Sequence, residues 1–173
     1  MLSQNMVDKL NQQINMEHNA HNLYLAMSSW CRFKGYDGAA DFFYIHCKEE
    51  MDHMTRLFDY VIEAGAQAIV GALPKPPSEF ESLKDVFEQT YAHEQTVTAS
   101  INELVDFASD QKDYSTLNFL QWYVGEQHEE EALFNGILDK INLIGMEGMG
   151  LYMIDREIKE LALQHAVPGR TQE

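Results

Sequence analysis

The sequence predicts an all-α fold: a four-helix bundle with a long crossover between helices two and three, plus a short fifth helix towards the C-terminal end. Three observations carry this expectation. Four long stretches run without proline. Each repeats its apolar side chains in alternating three- and four-residue steps, the period of one helix face. Three of the 4 prolines, Pro74, Pro76 and Pro77, crowd into a single connector.

The first stretch, residues 5–34, stops at the turn signal Gly35-Tyr36-Asp37-Gly38. Its stripe reads Val7, Leu10, Ile14, Glu17, His21, Tyr24, Ser28, Cys31. The second, residues 38–64, closes at Gly65, which suits the left-handed position after a helix. Its stripe is Ala39, Phe43, His46, Glu50, His53, Leu57, Tyr60, Ala64. The proline-rich connector that follows cannot continue as helix, because proline fixes φ and removes amide donors. Ser82-Leu83-Lys84-Asp85 resembles a capping box and opens the third stretch, to about residue 109. That stripe is Leu83, Phe87, Thr90, Glu94, Val97, Ile101, Leu104, Ala108. After the polar turn Asp110 to Ser115, the fourth stretch covers residues 116–144. It carries Thr116, Leu120, Tyr123, Gln127, Glu130, Phe134, Ile137, Ile141 and Ile144. Gly145, Gly148 and Gly150 then break the chain before the fifth segment, residues 151–165.

Loop length selects the topology. The short turns near residues 36 and 112 make antiparallel hairpins of helices one and two, and of three and four. The connector between the hairpins, about 16 residues, reaches roughly 50 Å at ~3.3 Å per residue. A helix of about 27 residues is only ~40 Å long, so the connector can run the length of the bundle. The fifth segment has one stripe, Leu151, Ile154, Ile158 and Leu161, and a bundle of four offers it no seat. It is expected to pack against other subunits. With 173 residues, one domain is expected over 1–173, with the bundle over 5–144.

Composition narrows the function. Lys plus Arg is 12 and Asp plus Glu is 28, a net charge of −16. Such a charge repels phosphate backbones and anionic lipid, which argues against nucleic acid or membrane as partner and suits metal cations. Cys31 and Cys47 make no disulfide framework. The opening MLSQNMVDKL has no basic and apolar leader pattern, so a soluble cytoplasmic protein is expected.

Each of the four stripes is interrupted by a glutamate: Glu17, Glu50, Glu94 and Glu130. Counted from the turn centres, these four, with His53 and Gln127, fall at one level near mid-bundle. A buried unpaired carboxylate carries a penalty of several kcal/mol, and the stripes hold no Lys or Arg. Two divalent cations would balance four carboxylates. Glu50-x-x-His53 presents two ligands from one helix. Carboxylate with imidazole, and no thiolate, fits iron or manganese.

Together Glu17, the run KEEMDH around Glu50 and His53, Glu94, and the run NFLQWYVGEQHEEE resemble the bacterial non-haem ferritins, over nearly the whole chain in order and spacing. The resemblance implies a hollow shell of 24 subunits that oxidises Fe(II) with O2 at an intra-subunit di-iron site and stores ferric mineral in its cavity. It implies that Glu17, Glu50 and His53 hold one iron and Glu50, Glu94 and Glu130 the second, with Gln127 beside it. A third iron is implied at Glu49, Glu126, Glu129 and Glu130, although a solvated acidic face is the alternative for Glu49, Glu126 and Glu129. Tyr24 and Trp122 resemble the family's aromatic neighbours of the site, with core packing as the other reading. His21 reads as a donor supporting the ligands, as an auxiliary ligand or as a satisfied core histidine, and His46 as a core or second-layer histidine. Met51 falls where bacterioferritins place a haem ligand, but the second Glu-x-x-His of those proteins is here Gln127 and Glu130, so no haem is expected. The acidic pair of animal three-fold pores falls on Leu117 and Leu120, which argues against that way in. A di-iron oxidase of an organic substrate and a cytokine-like bundle are the other readings; the second leaves the interior glutamates unexplained.

Overall fold

A computed structural model describes residues 2–165. Residue 1 and residues 166–173 of the expected single domain lie outside the described residues. Five helices follow in order: α1 (Gln4–Lys34), α2 (Asp37–Glu63), α3 (Leu83–Asp110), α4 (Tyr114–Ile144) and α5 (Met149–His165). Among the described residues there is no strand.

Local chemistry explains where each helix starts and stops. Ser3 caps α1 by accepting from the Met6 amide at 3.3 Å. Ser82 caps α3 by accepting from the Asp85 amide at 3.1 Å, while the Asp85 carboxylate reaches back to the Glu81 amide at 3.0 Å. The expected capping box is thus displaced by one residue. Helix α4 begins two residues earlier than expected because Asp113 serves as its cap, accepting from the Thr116 amide at 3.2 Å. Gly35 (φ 85°) and Gly65 (φ 80°) end α1 and α2 in the left-handed region. After α3 that place is taken by Lys112 at φ 55°.

The crossover is as expected. From the end of α2 the connector returns along α1. Asn11 Nδ2 donates to the Gln67 carbonyl (3.2 Å), the Gly71 amide donates to Asn15 Oδ1 (2.6 Å), and Phe80 packs on Trp30 at 5.4 Å between ring centres. Helix α3 therefore starts at the same end as α2, and the helices run up, down, down, up.

The fifth helix departs from expectation. Ile154, Ile158 and Ala162 are buried in this chain's own core, with Leu151 and Leu161 packed at its edge. The seat is the end of the bundle, where α2 begins. Helix α2 has no side-chain cap of its own. Instead Asp155 of α5 accepts from the Gly38 amide at 3.0 Å and the Ala39 amide at 2.9 Å. A Cβ on residue 38 would collide with the Asp155 carbonyl, so only glycine permits this approach.

The core is split in two. One apolar cluster, including Tyr24, Phe42, Phe43, Phe87 and Phe134, fills the end beneath α5. The other, including Leu10, Ile14, Leu57, Ile101 and Leu120, fills the opposite end. A belt of buried polar side chains lies between them.

Candidate metal centre

The belt is assembled from one or two stripe positions per helix. Glu17 of α1 is 1% exposed, Glu50 and His53 of α2 are 3% and 5%, Glu94 of α3 is 1%, and Gln127 and Glu130 of α4 are 3% and 9%. Regular helices crossing at mid-length bring these side chains to one level, since each keeps its place on a 3.6-residue period.

Two groupings of ligand atoms emerge. Glu17, Glu50 and His53 place one ligand atom each within 4.8 Å of one another, with His53 Nδ1 3.5 Å from Glu50 Oε2. Glu94 lies across the belt, where its Oε1 accepts from the Tyr24 hydroxyl and its Oε2 from Gln127 Nε2 at 2.9 Å. The second grouping is His46, Glu49 and Glu130, again within 4.8 Å. His46 Nε2 stands 3.7 Å from Glu49 Oε2 and 3.9 Å from Glu130 Oε2. Its Nδ1 donates to the Phe42 carbonyl at 3.0 Å, which turns Nε2 towards the carboxylates. Glu126 turns towards His53, with 4.0 Å between Oε2 and Nε2, and Glu129 is exposed.

The donor set fits a cation. Glu17 Oε2 and Glu130 Oε2 are buried and receive no hydrogen bond from any described residue. A buried acceptor left so costs about 1–3 kcal/mol, and a cation would supply the missing partner. The ion pairs made by Lys and Arg lie on the surface, as in Arg32 with Asp37 and Asp41, and Lys84 with Glu88. Burial, followed by the charge of Glu50, pushes the Glu17 carboxyl well above the ordinary carboxylate range. Burial and then Glu94 do the same to Glu50, and burial, Glu94 and Glu50 to Glu130. Thiolate ligation has no place in the belt: both cysteines are buried and free, and burial pushes the Cys31 thiol up to about 12.

Residues 7–144 match the model of the ferritin-like domain. The chain belongs to the ferritin-like family. A bacterial non-heme ferritin of Campylobacter jejuni is 55% identical over 163 residues, covering 94% of this chain and 98% of that protein. A probable bacterial non-heme ferritin-like protein of Haemophilus influenzae is 51% identical over 162 residues, with 94% and 98% covered. Among solved structures, an open pore ferritin of the hyperthermophilic archaeon Archaeoglobus fulgidus superposes with a TM-score of 0.89 at 42% identity, covering 92% of this chain and 98% of that one.

Within this ferritin-like chain the remaining site candidates take distinct places. His21 donates from Nδ1 to the Cys47 carbonyl and ties α1 to α2, away from both groupings of ligands. Trp122 stands edge-on to His53 at 5.4 Å, under the Arg56 guanidinium. Met51 is half-buried on α2, and Leu120 is buried in the far apolar cluster. Sequence reasoning does not single out two supports of the site, Gln13 and Tyr123. Gln13 is fully buried, donates from Nε2 to Glu17 Oε1 at 2.8 Å, and is itself held by the Ser100 hydroxyl at 2.6 Å. Its signal was the position one turn before Glu17. Tyr123 donates to the His53 carbonyl at 2.7 Å and fixes that turn of α2. His46, expected as a core or second-layer histidine, stands beside Glu49 and Glu130, with an i,i+3 spacing to Glu49 in the sequence.

Proposed function

We propose that this protein stores iron and is a ferroxidase, oxidising Fe(II) with O2 at an intra-subunit di-iron site and depositing hydrated ferric oxide in the cavity of a shell of 24 subunits. The observation that carries the reading is the belt itself: four glutamates and a histidine converge between two apolar half-cores, with carboxylate oxygens that receive no hydrogen bond among the described residues. In this reading Glu17, Glu50 and His53 bind one Fe(II) and Glu50, Glu94 and Glu130 the second, so Glu50 bridges. Gln127 and Tyr24 hold Glu94 by its two oxygens. A third iron falls to Glu49, Glu126, Glu129 and Glu130, with His46 beside Glu49 and Glu130. The family, and relatives named non-heme ferritin, support iron as the cargo.

The chemistry follows from the ligands. Carboxylate oxygen stabilises the ferric state more than the ferrous one, which makes each bound iron a better one-electron donor. Two adjacent irons together supply the electron pair that O2 needs. Overall, four Fe(II), one O2 and six waters give four FeOOH and eight protons. No helix among the described residues is long and apolar enough to cross a membrane.

Aerobic loading with a large excess of Fe(II), followed by gel filtration with iron and protein assayed in each fraction, tests the proposal. Ferric iron far beyond three ions per chain, eluting with a shell-sized particle, is the expected result. Two or three ions per chain on a small oligomer would sink the storage claim and turn attention to an organic substrate.

A further inference from the structure

The buried centre needs a route for its cation, and a surface cleft reaches it. Between α3 and α4 lies a cleft of about 230 Å³ lined by Thr98, Ile101 and Asn102 on one side and Val124, Gln127, His128 and Glu131 on the other. Gln127 forms its floor and is also part of the belt, with Nε2 2.9 Å from Glu94 Oε2 and 3.4 Å from Thr98 Oγ1. One side chain therefore separates the cleft from a carboxylate of the centre. The cleft lined by Asp52, Thr55, Arg56 and Phe119, and that lined by Leu25, Arg32 and Tyr44, include no side chain of the belt.

We propose that the α3–α4 cleft is the inlet through which Fe(II) reaches the centre, with Gln127 as its gate. The inference rests on the metal-centre reading above. Size permits it: a divalent cation with six waters needs roughly 180 Å³ at about 30 Å³ per water, less than the cleft provides. Lining chemistry permits it too. Hydroxyl, amide and imidazole groups replace hydrating waters one at a time, and Glu131 at the mouth supplies one negative charge. Apolar walls from Ile101 and Val124 prevent the ion from settling there. At the floor, Gln127 is neutral and holds Glu94 through an amide hydrogen; turning the amide presents its oxygen to the ion and frees Glu94 Oε2 as a ligand.

Helix geometry places this inlet opposite the acidic flank. Along α4, His128, Glu131 and Val124 lie on the side of the buried stripe that meets α3, whereas Glu126 and Glu129 lie on the side that meets α2. The centre thus has a narrow approach with a single carboxylate at its mouth and, on the other side, a strongly acidic face.

The test is anaerobic Co(II) uptake, followed by stopped-flow absorbance, in the assembled wild-type protein and in Asn102→Trp and His128→Trp, which plug the mouth at exposed positions. Thr55→Trp, in the Arg56 cleft, is the control for added bulk. The plugged variants are expected to fill about tenfold more slowly or worse, to the same final occupancy and with unchanged thermal unfolding, while Thr55→Trp fills at the wild-type rate. Plugged variants that fill as fast as wild type overturn the inlet and leave the metal centre standing. A wild-type protein that takes up no Co(II) overturns both.

Discussion

Glu17 depends on Gln13 for its orientation. The amide holds one carboxylate oxygen at 2.8 Å, Ser100 holds the amide, and the other oxygen faces the centre without a protein donor. Partners of this kind change metal affinity by about 10–100-fold when removed. Gln13→Leu keeps the volume and removes the donor, so calorimetric titration with Zn(II) is expected to show weakening of that order at the Glu17 site and unaltered affinity at the others. The raised carboxyls give a second expectation. Folded-state values above the unfolded ones mean that the metal-free folded chain binds more protons than the unfolded chain. That stability is fully present below the ordinary carboxylate range and is lost as pH rises. Thermal unfolding of the metal-free protein should therefore occur at lower temperature near pH 8 than near pH 5. Glu50→Gln should flatten the dependence, and an equal slope in that variant would refute the assignment.

At the scale of the helix, two features decide stability away from the centre. Lys112 occupies a left-handed conformation that normally costs a non-glycine residue about 1–2 kcal/mol. Lys112→Gly should stabilise the protein by roughly 0.5–1 kcal/mol in denaturant titration, the glycine's looser unfolded state offsetting part of the relief. Asp155 replaces the cap that α2 lacks. Asp155→Ala removes two hydrogen bonds to amides of a helix N-terminus, and a loss of about 1–2 kcal/mol is expected. Helix boundaries were legible because Ser3, Ser82, Gly35 and Gly65 are chemical stop and start signals. Lys112 and Asp155 were not, for opposite reasons. A lysine carries no turn signal, and the Asp155 contact joins residues 116 or more positions apart.

For the whole molecule, the buried core falls into two apolar clusters with the belt between them. In the proposed reading, cations bound there would link the four helices and couple folding to metal occupancy. At a free cation concentration a hundred times Kd, each site adds ~2.7 kcal/mol to the folded state. Scanning calorimetry should show the unfolding temperature rising on loading with Zn(II) and falling back on chelation; no shift would detach the belt from metal binding. The net charge of −16 favours accumulation of cations around the molecule, and salt should weaken that attraction.

By itself the sequence determined the helices, the crossover and the identity of the six belt residues. Hydrophobic period, glycine and proline are local signals, and a glutamate in an apolar stripe betrays itself by being out of place. Tertiary structure decided the rest. It set α5 on the end of its own bundle, moved His46 beside Glu49 and Glu130, recruited Gln13 to Glu17, left His21 as a tie between helices and opened a cleft beside Gln127. These are relations between side chains on different helices, fixed by how far each helix is rotated and slid against its neighbours. A one-dimensional pattern shows which face of a helix is buried, but not which atoms meet across it.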